Sequence, residues 1–64
     1  MKRQEAIDLL IGLHKNEIEN PLFKSTKKKF NNYVSEHNPK KNSELIRLAE
    51  NAVDFDGFYY LKNV

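Results

Sequence analysis

The stretch AIDLLIGLHKNEI, residues 6–18, decides the fold. Ile7, Leu10, Ile11, His14 and Ile18 recur along one line at helical spacing, and further apolar side chains widen that line on one side. At about 100° per residue, the apolar positions cover roughly 200° of the helix surface, about twice what a surface helix needs. Such a helix must be covered from two directions. The stretch therefore predicts a central helix with the rest of the chain packed around it.

This first helix is expected to run from about Lys2 to Asn16 or Glu19, because the residue before Pro21 is pushed out of the α region. Gly12 lies on the predicted polar face, where glycine costs about 1 kcal/mol relative to alanine. We interpret it as a tolerated weak position in preference to the alternative, a close approach by another backbone.

A second helix is predicted from Pro21 to about His37. Asn20 can cap its first N–H groups, proline suits the first helical position, and Asn38-Pro39 ends it. Its apolar stripe comprises Phe23, Thr26, Phe30, Tyr33, Val34 and His37.

A third helix is predicted with Ser43 as its N-cap and Glu44 at the positive end of its dipole. Its apolar face comprises Leu45, Ile46, Leu48, Ala49, Ala52 and Val53. After it, Asp56-Gly57 is typical of a β-hairpin, but an isolated hairpin is marginal. We expect instead a turn at Gly57 that folds Phe55, Phe58 and Leu61 back on the first helix, with a short hairpin as the alternative.

These patterns together predict an all-α fold. The expected architecture is a three-helix bundle in one domain, residues 1–64, with an aromatic C-terminal segment folded back on it. The core is expected to be organised by Leu10, His14 and Phe30.

The residues that could carry chemistry are few. The chain has no cysteine, and His14 and His37 lack a third ligand for zinc. Asp54, Asp56 and Gly57 imitate part of a calcium loop, but its first and last ligand positions are missing. No serine stands in a histidine–carboxylate pattern. We expect no metal, no cofactor and no enzymatic activity.

Charge is distributed unevenly along the chain. Residues 24–41 carry a net charge of +5, while the segments before and after them carry −1 and −2. Most lysine-rich helix faces are simply solvated, but this one is also a candidate for binding a partner. The candidate partner-binding residues are Lys24, Lys27, Lys28, Asn31, Asn32, Lys40, Lys41, Tyr59 and Tyr60.

The expected partner is a protein with an acidic surface, and the alternative is a nucleic acid held through its phosphates. Glu44, Glu50 and Asp54 on the third helix would repel phosphates, and arginine, the usual reader of guanine, occurs only twice. Tyrosine is enriched at interfaces, so Tyr59 and Tyr60 favour a protein partner or a second copy of the chain. The predicted function is that of a small regulatory or inhibitory protein.

The expected location is the cytoplasm. No apolar run approaches the roughly eighteen residues of a membrane span, and the absence of cysteine suits a reducing compartment. Lysine outnumbers arginine nine to two, and residues with A/T-rich codons predominate. Together with the small size, this bias is typical of regulatory proteins from phages or mobile elements of low-GC bacteria.

Overall fold

Three α-helices form the protein: α1 (Arg3–His14), α2 (Lys24–His37) and α3 (Asn42–Phe55). Two 3-10 helices accompany them, at Pro21–Phe23 and Tyr59–Asn63. The computed structural model describes residues 1–63 apart from the side chain of Lys62, so Val64 of the predicted domain lies outside the described residues. The all-α three-helix bundle is confirmed. The alternative hairpin is wrong, because Tyr59–Asn63 is helical and no strand occurs among residues 1–63.

The central position of α1 follows from its apolar circumference. It contacts α2, α3 and the C-terminal 3-10 helix, and its buried side chains occur on every turn. Leu10 is completely buried, as is Phe30 of α2, while His14 is half-buried and meets the Phe30 ring edge-on at 6.0 Å between centroids. The radius of gyration is 10.5 Å, which is close to the roughly 11 Å expected for a compact chain of this length.

The end of α1 comes earlier than the sequence predicts. Asn16 adopts a left-handed conformation with φ at 61°, and its N–H donates to the Leu13 carbonyl. The Glu17 N–H donates to the Gly12 carbonyl at 2.9 Å, which completes a Schellman motif. Ile18 therefore lies in the following loop, and the predicted helical position for it is wrong.

Gly12 is buried beneath this loop and does not lie on a polar face. A Cβ atom at Gly12 would lie 2.7 Å from the Cγ1 atom of Ile18, which is far inside van der Waals contact. The interpretation of Gly12 as a tolerated weak position is wrong. The glycine allows the Ile18 side chain to fold back onto α1.

The predicted C-terminal end of the second helix is confirmed, while its predicted start at Pro21 is a 3-10 turn and α2 itself begins at Lys24. The Asn20 side-chain oxygen accepts a hydrogen bond from the Leu22 N–H at 3.0 Å, and Pro21 opens the 3-10 turn that leads into α2. Asn38 closes α2 in a left-handed conformation, with φ at 47°, just before Pro39.

The start of α3 differs from the prediction. Lys41 is the N-cap residue and makes no side-chain cap, so Ser43 lies inside the helix. The Glu44 carboxylate reaches back and accepts a hydrogen bond from the Lys40 N–H at 2.6 Å. This hydrogen bond ties the connector residue Lys40 to the first turn of α3.

The C-terminal segment turns back at Gly57, whose φ is 84°. Phe58 and Leu61 are buried in the core as predicted, but Phe55 is 81% exposed and its predicted packing is wrong. Phe55 is the last residue of α3 and precedes the turn, so its side chain stays outside the bundle. Two further predicted core positions are also exposed: Ile46 and His37.

Candidate partner-binding surface

Five of the predicted binding residues lie together along the outer side of α2. Lys24, Lys27, Lys28, Asn31 and Asn32 line one shallow depression, which is called the α2 basic surface below. Their spacing places them on adjacent turns of one helix, because residues three and four apart are neighbours on a helix surface. The structure therefore brings these five residues together as the sequence predicts.

The lysines of the α2 basic surface have no carboxylate partner among the described residues. Lys24 and Lys28 are exposed, and the Lys27 ammonium donates a hydrogen bond to the side-chain oxygen of Asn16. Three positive charges on neighbouring turns repel one another modestly. An acidic partner would relieve that repulsion.

Asn31 is held in place by a residue that the sequence analysis assigned to the core. The Nδ1 atom of His14 lies 2.8 Å from the Asn31 Oδ1 atom. Because an amide oxygen only accepts hydrogen bonds, the proton lies on Nδ1 of His14. The contact joins residues 17 positions apart in the chain and depends on how α1 packs against α2, so no local sequence signal predicts it.

Lys40 and Lys41 lie at the corner where α2 is connected to α3. They line a depression of about 350 Å³, called the corner depression, together with Asn31, His14 and Ser35. Asn31 lines both depressions, so the two groups of lysines border one continuous region. The sequence predicted both groups but not the part of His14 in joining them.

Lys29 lies apart from the α2 basic surface. Its ammonium nitrogen is 4.8 Å from the centroid of the Phe58 ring and 3.5 Å from the Gly57 carbonyl oxygen. This lysine helps to hold the C-terminal segment against α2.

The two predicted tyrosines lie apart from the lysines. Neither lines the α2 basic surface or the corner depression. The Tyr60 hydroxyl lies 3.0 Å from the hydroxyl of Thr26, which is buried, while Tyr59 is 61% exposed and makes no such contact among the described residues. Tyr59 is therefore the solvent-facing member of the pair, and Tyr60 has a structural contact.

Two carboxylates of α3, those of Glu50 and Asp54, face Arg3 of α1. The Arg3 guanidinium donates to both carboxylate oxygens of Asp54 at 2.8–3.0 Å and lies 4.0 Å from Glu50. The hydrogen bond to Asp54 raises the pKa of Arg3 further above its ordinary value. These acidic groups therefore do not face the α2 basic surface.

Asp56, just after α3, accepts a hydrogen bond from the Tyr33 hydroxyl at 3.0 Å. The pKa of the Tyr33 hydroxyl is raised by two causes, of which partial burial is the larger and this hydrogen bond is the second. Tyr33 therefore stays a neutral donor through the physiological pH range.

His37 packs on Tyr33, with 4.5 Å between ring centroids, and its Nδ1 atom lies 2.9 Å from the Tyr33 carbonyl oxygen. Among the described residues, no three His, Asp or Glu side chains come together as a metal site. None of the helices within residues 1–63 combines the length and apolar character needed to cross a membrane.

Comparison of the chain with protein-family models, curated proteins and solved structures gave no match. The function is therefore proposed from the geometry and charge of the chain itself.

Proposed function

We propose that this protein is a small, non-enzymatic regulator or inhibitor that binds the acidic surface of another protein through the α2 basic surface. The observation that carries the proposal is the grouping of three lysines on adjacent turns of α2. Lys24, Lys27 and Lys28 have no carboxylate partner within the described chain, whereas Asp54 and Glu44 are engaged elsewhere. A cluster of unpaired charges steers an oppositely charged partner and accelerates association.

Exposed aromatic rings favour a protein as the partner. Tyr59 and Phe55 flank the Gly57 turn and are 61% and 81% exposed. Tyrosine is a frequent interface anchor because it buries a large, rigid area with few rotatable bonds. Tyr59 would act as a second contact for the partner, or as the contact between two copies of the chain. Replacing Tyr59 with alanine should then weaken association and leave the monomer folded.

A nucleic acid is the second candidate, and one observation favours it. Glu50 and Asp54 face Arg3 on the α1 side, so they do not repel phosphates at the α2 basic surface. Lysines interspersed with the amides of Asn31 and Asn32 are the residue types that contact phosphates and sugars. The scarcity of arginine still favours the protein partner.

The proposal includes a location in the cytoplasm and an origin in a low-GC bacterium or one of its phages. A chain without cysteine tolerates a reducing compartment, and the coding bias suggests the host. A lysate of such a bacterium is therefore the material in which to look for the partner.

The test compares three immobilised proteins in a nuclease-treated lysate. One is the natural chain, and one carries Lys24→Gln, Lys27→Gln and Lys28→Gln. The control carries Lys2→Gln, Lys15→Gln and Arg47→Gln, which remove the same charge from exposed positions elsewhere. A gel shift with duplex DNA and with single-stranded RNA is run in parallel.

The expected result is a captured protein that the α2 variant loses and the control variant keeps. Its retention should fall steeply between about 0.05 M and 0.5 M salt, because exposed charges are screened over that range. Equal capture by the natural chain and the α2 variant would contradict the proposal. A gel shift that needs the α2 lysines, without any captured protein, would assign the surface to nucleic acid.

A further inference from the structure

The corner depression differs from the rest of the basic region because buried core residues and a hydrogen bond between two helices help to form it. Lys40 and Lys41 border it, and Asn31 connects it to the α2 basic surface. Val34 and Leu45, both buried core residues, form part of its lining. The depression therefore combines positive charge at its border with an apolar base.

The His14 contact determines what Asn31 presents to this depression. The Asn31 oxygen accepts the hydrogen bond from His14, so the amide orientation is set and the Asn31 NH₂ group is left to donate. That NH₂ group has no partner among the described residues. The Asn31 NH₂ group and the two lysines therefore bring donors to a depression that Ser35, Asn38 and Asn42 also line with groups that can donate or accept. Because the lysines are positively charged, this set favours an anionic group.

Two features favour a carboxylate over a phosphate. The apolar base suits the methylene groups of a glutamate or aspartate side chain, which a phosphate lacks. The Glu44 carboxylate already lies against the Lys40 N–H, 2.6 Å away, and places a negative charge near the depression. A second anion with a single charge is repelled less there than a phosphate dianion.

We infer that the corner depression receives a carboxylate side chain of the acidic protein partner, held by the Asn31 NH₂ group and the ammonium groups of Lys40 and Lys41. This inference rests on the proposed function and deepens it. The α2 lysines supply general attraction, and the corner depression supplies the one contact with fixed geometry. This contact would fix the position of the partner along the α2 basic surface.

The sharpest test uses two adjacent asparagines as a matched pair. Asn31→Asp removes the donor group but keeps an oxygen that can accept from His14, and Asn32→Asp adds the same negative charge one residue away, outside the depression. The probe is a twelve-residue peptide of alternating glutamate and alanine with both ends capped. Its binding is measured by NMR titration at low salt, and thermal melts confirm that both variants fold.

The expected result is that Asn31→Asp binds the peptide about tenfold more weakly than Asn32→Asp, the loss typical of a hydrogen bond to a charged group. In the natural chain, the largest shifts should fall on the Asn31 side-chain amide and the amides of Lys40 and Lys41. Lys40→Gln with Lys41→Gln is a second variant, and it should also abolish the shift of the Asn31 side chain.

Equal losses for Asn31→Asp and Asn32→Asp would overturn the role of the depression and leave the proposed function standing. Inorganic phosphate that shifts the Asn31 amide at matched ionic strength, where the peptide does not, would overturn the choice of a carboxylate. If the natural chain does not bind the peptide at all, while the α2 lysines still prove necessary for partner capture, only the present inference fails. If those lysines prove unnecessary as well, the proposed function fails with it.

Discussion

The two sides of the bundle use charged side chains in opposite ways. On the α1–α3 side, Arg3 forms a two-pronged ion pair with Asp54 and lies near Glu50. On the outer side of α2, Lys24 and Lys28 have no carboxylate partner among the described residues. The first arrangement joins two helices, and the second adds nothing to the contacts of the fold. Charges left unpaired within the chain are the ones available to another molecule.

The largest expected effect belongs to the packed side. Leu10→Ala should lower the free energy of unfolding by about 2–5 kcal/mol, because Leu10 is completely buried between the helices. Ile46→Ala is the matched control, since Ile46 is an aliphatic residue that is 40% exposed, and it should cost under about 1 kcal/mol. Urea denaturation measures both. An unchanged midpoint for Leu10→Ala would show that α1 is not the core.

Gly12 gives the next largest effect. Gly12→Ala should cost up to about 1 kcal/mol, because the end of the Ile18 side chain must move away from the new Cβ atom, and this loss exceeds the gain in helix propensity. In an Ile18→Ala background, Gly12→Ala should instead raise the free energy of unfolding, because the two closest atoms, Cγ1 and Cδ1, are absent. Thermal melts of the four proteins form a double-mutant cycle. Stabilisation by Gly12→Ala in the natural background would contradict the close packing of Ile18.

Tyr60 and Tyr59 allow a packed side chain and a solvent-exposed one to be compared at adjacent positions. Tyr60→Phe removes the hydroxyl that contacts buried Thr26 and should cost about 1 kcal/mol. Tyr59→Phe removes an exposed hydroxyl and should leave the free energy of unfolding within about 0.5 kcal/mol. Denaturant titration of the two variants checks the difference. Equal losses of stability in the two variants would show that both tyrosines contribute to packing of the core.

Much of the fold was predictable because its signals are local. The wide apolar stripe around Leu10 and the two Asn-Pro steps specify the central helix, the 3-10 turn before α2 and the end of α2. The errors arose where tertiary contacts decide. The third helix starts at Asn42, before the expected cap at Ser43, and Ile18 leaves the first helix and folds over Gly12.

The α2 basic surface was predictable for the same reason, since helical spacing alone gathers Lys24, Lys28 and Asn32. The hydrogen bond between His14 and Asn31 was not, because it depends on the packing of two helices. Local periodicity identifies which residues share a face of one helix. It does not identify which residue of another helix orients them.

The smallest expected effect on stability is on the outer side of α2. Changing Lys24, Lys27 and Lys28 to glutamine should leave the thermal melt almost unchanged, within about 0.5 kcal/mol per site, because the chain offers these lysines no carboxylate to lose. Glutamine at position 27 can still donate to Asn16, so that contact is kept. The slight repulsion between lysines on adjacent turns also disappears, which opposes any loss. Partner affinity and its salt dependence should both fall.

Lys29→Gln is the control for this variant because it changes one lysine on the same helix. Its ammonium lies over the Phe58 ring and near the Gly57 carbonyl, so its loss should destabilise the C-terminal segment by about 0.5–1 kcal/mol. Per substitution, this side should therefore cost more stability than the outer side, while partner binding is kept. Circular-dichroism melts and binding titrations of the two variants separate the roles. If the triple variant unfolds and Lys29→Gln does not, the outer lysines are structural and α2 offers no free binding surface.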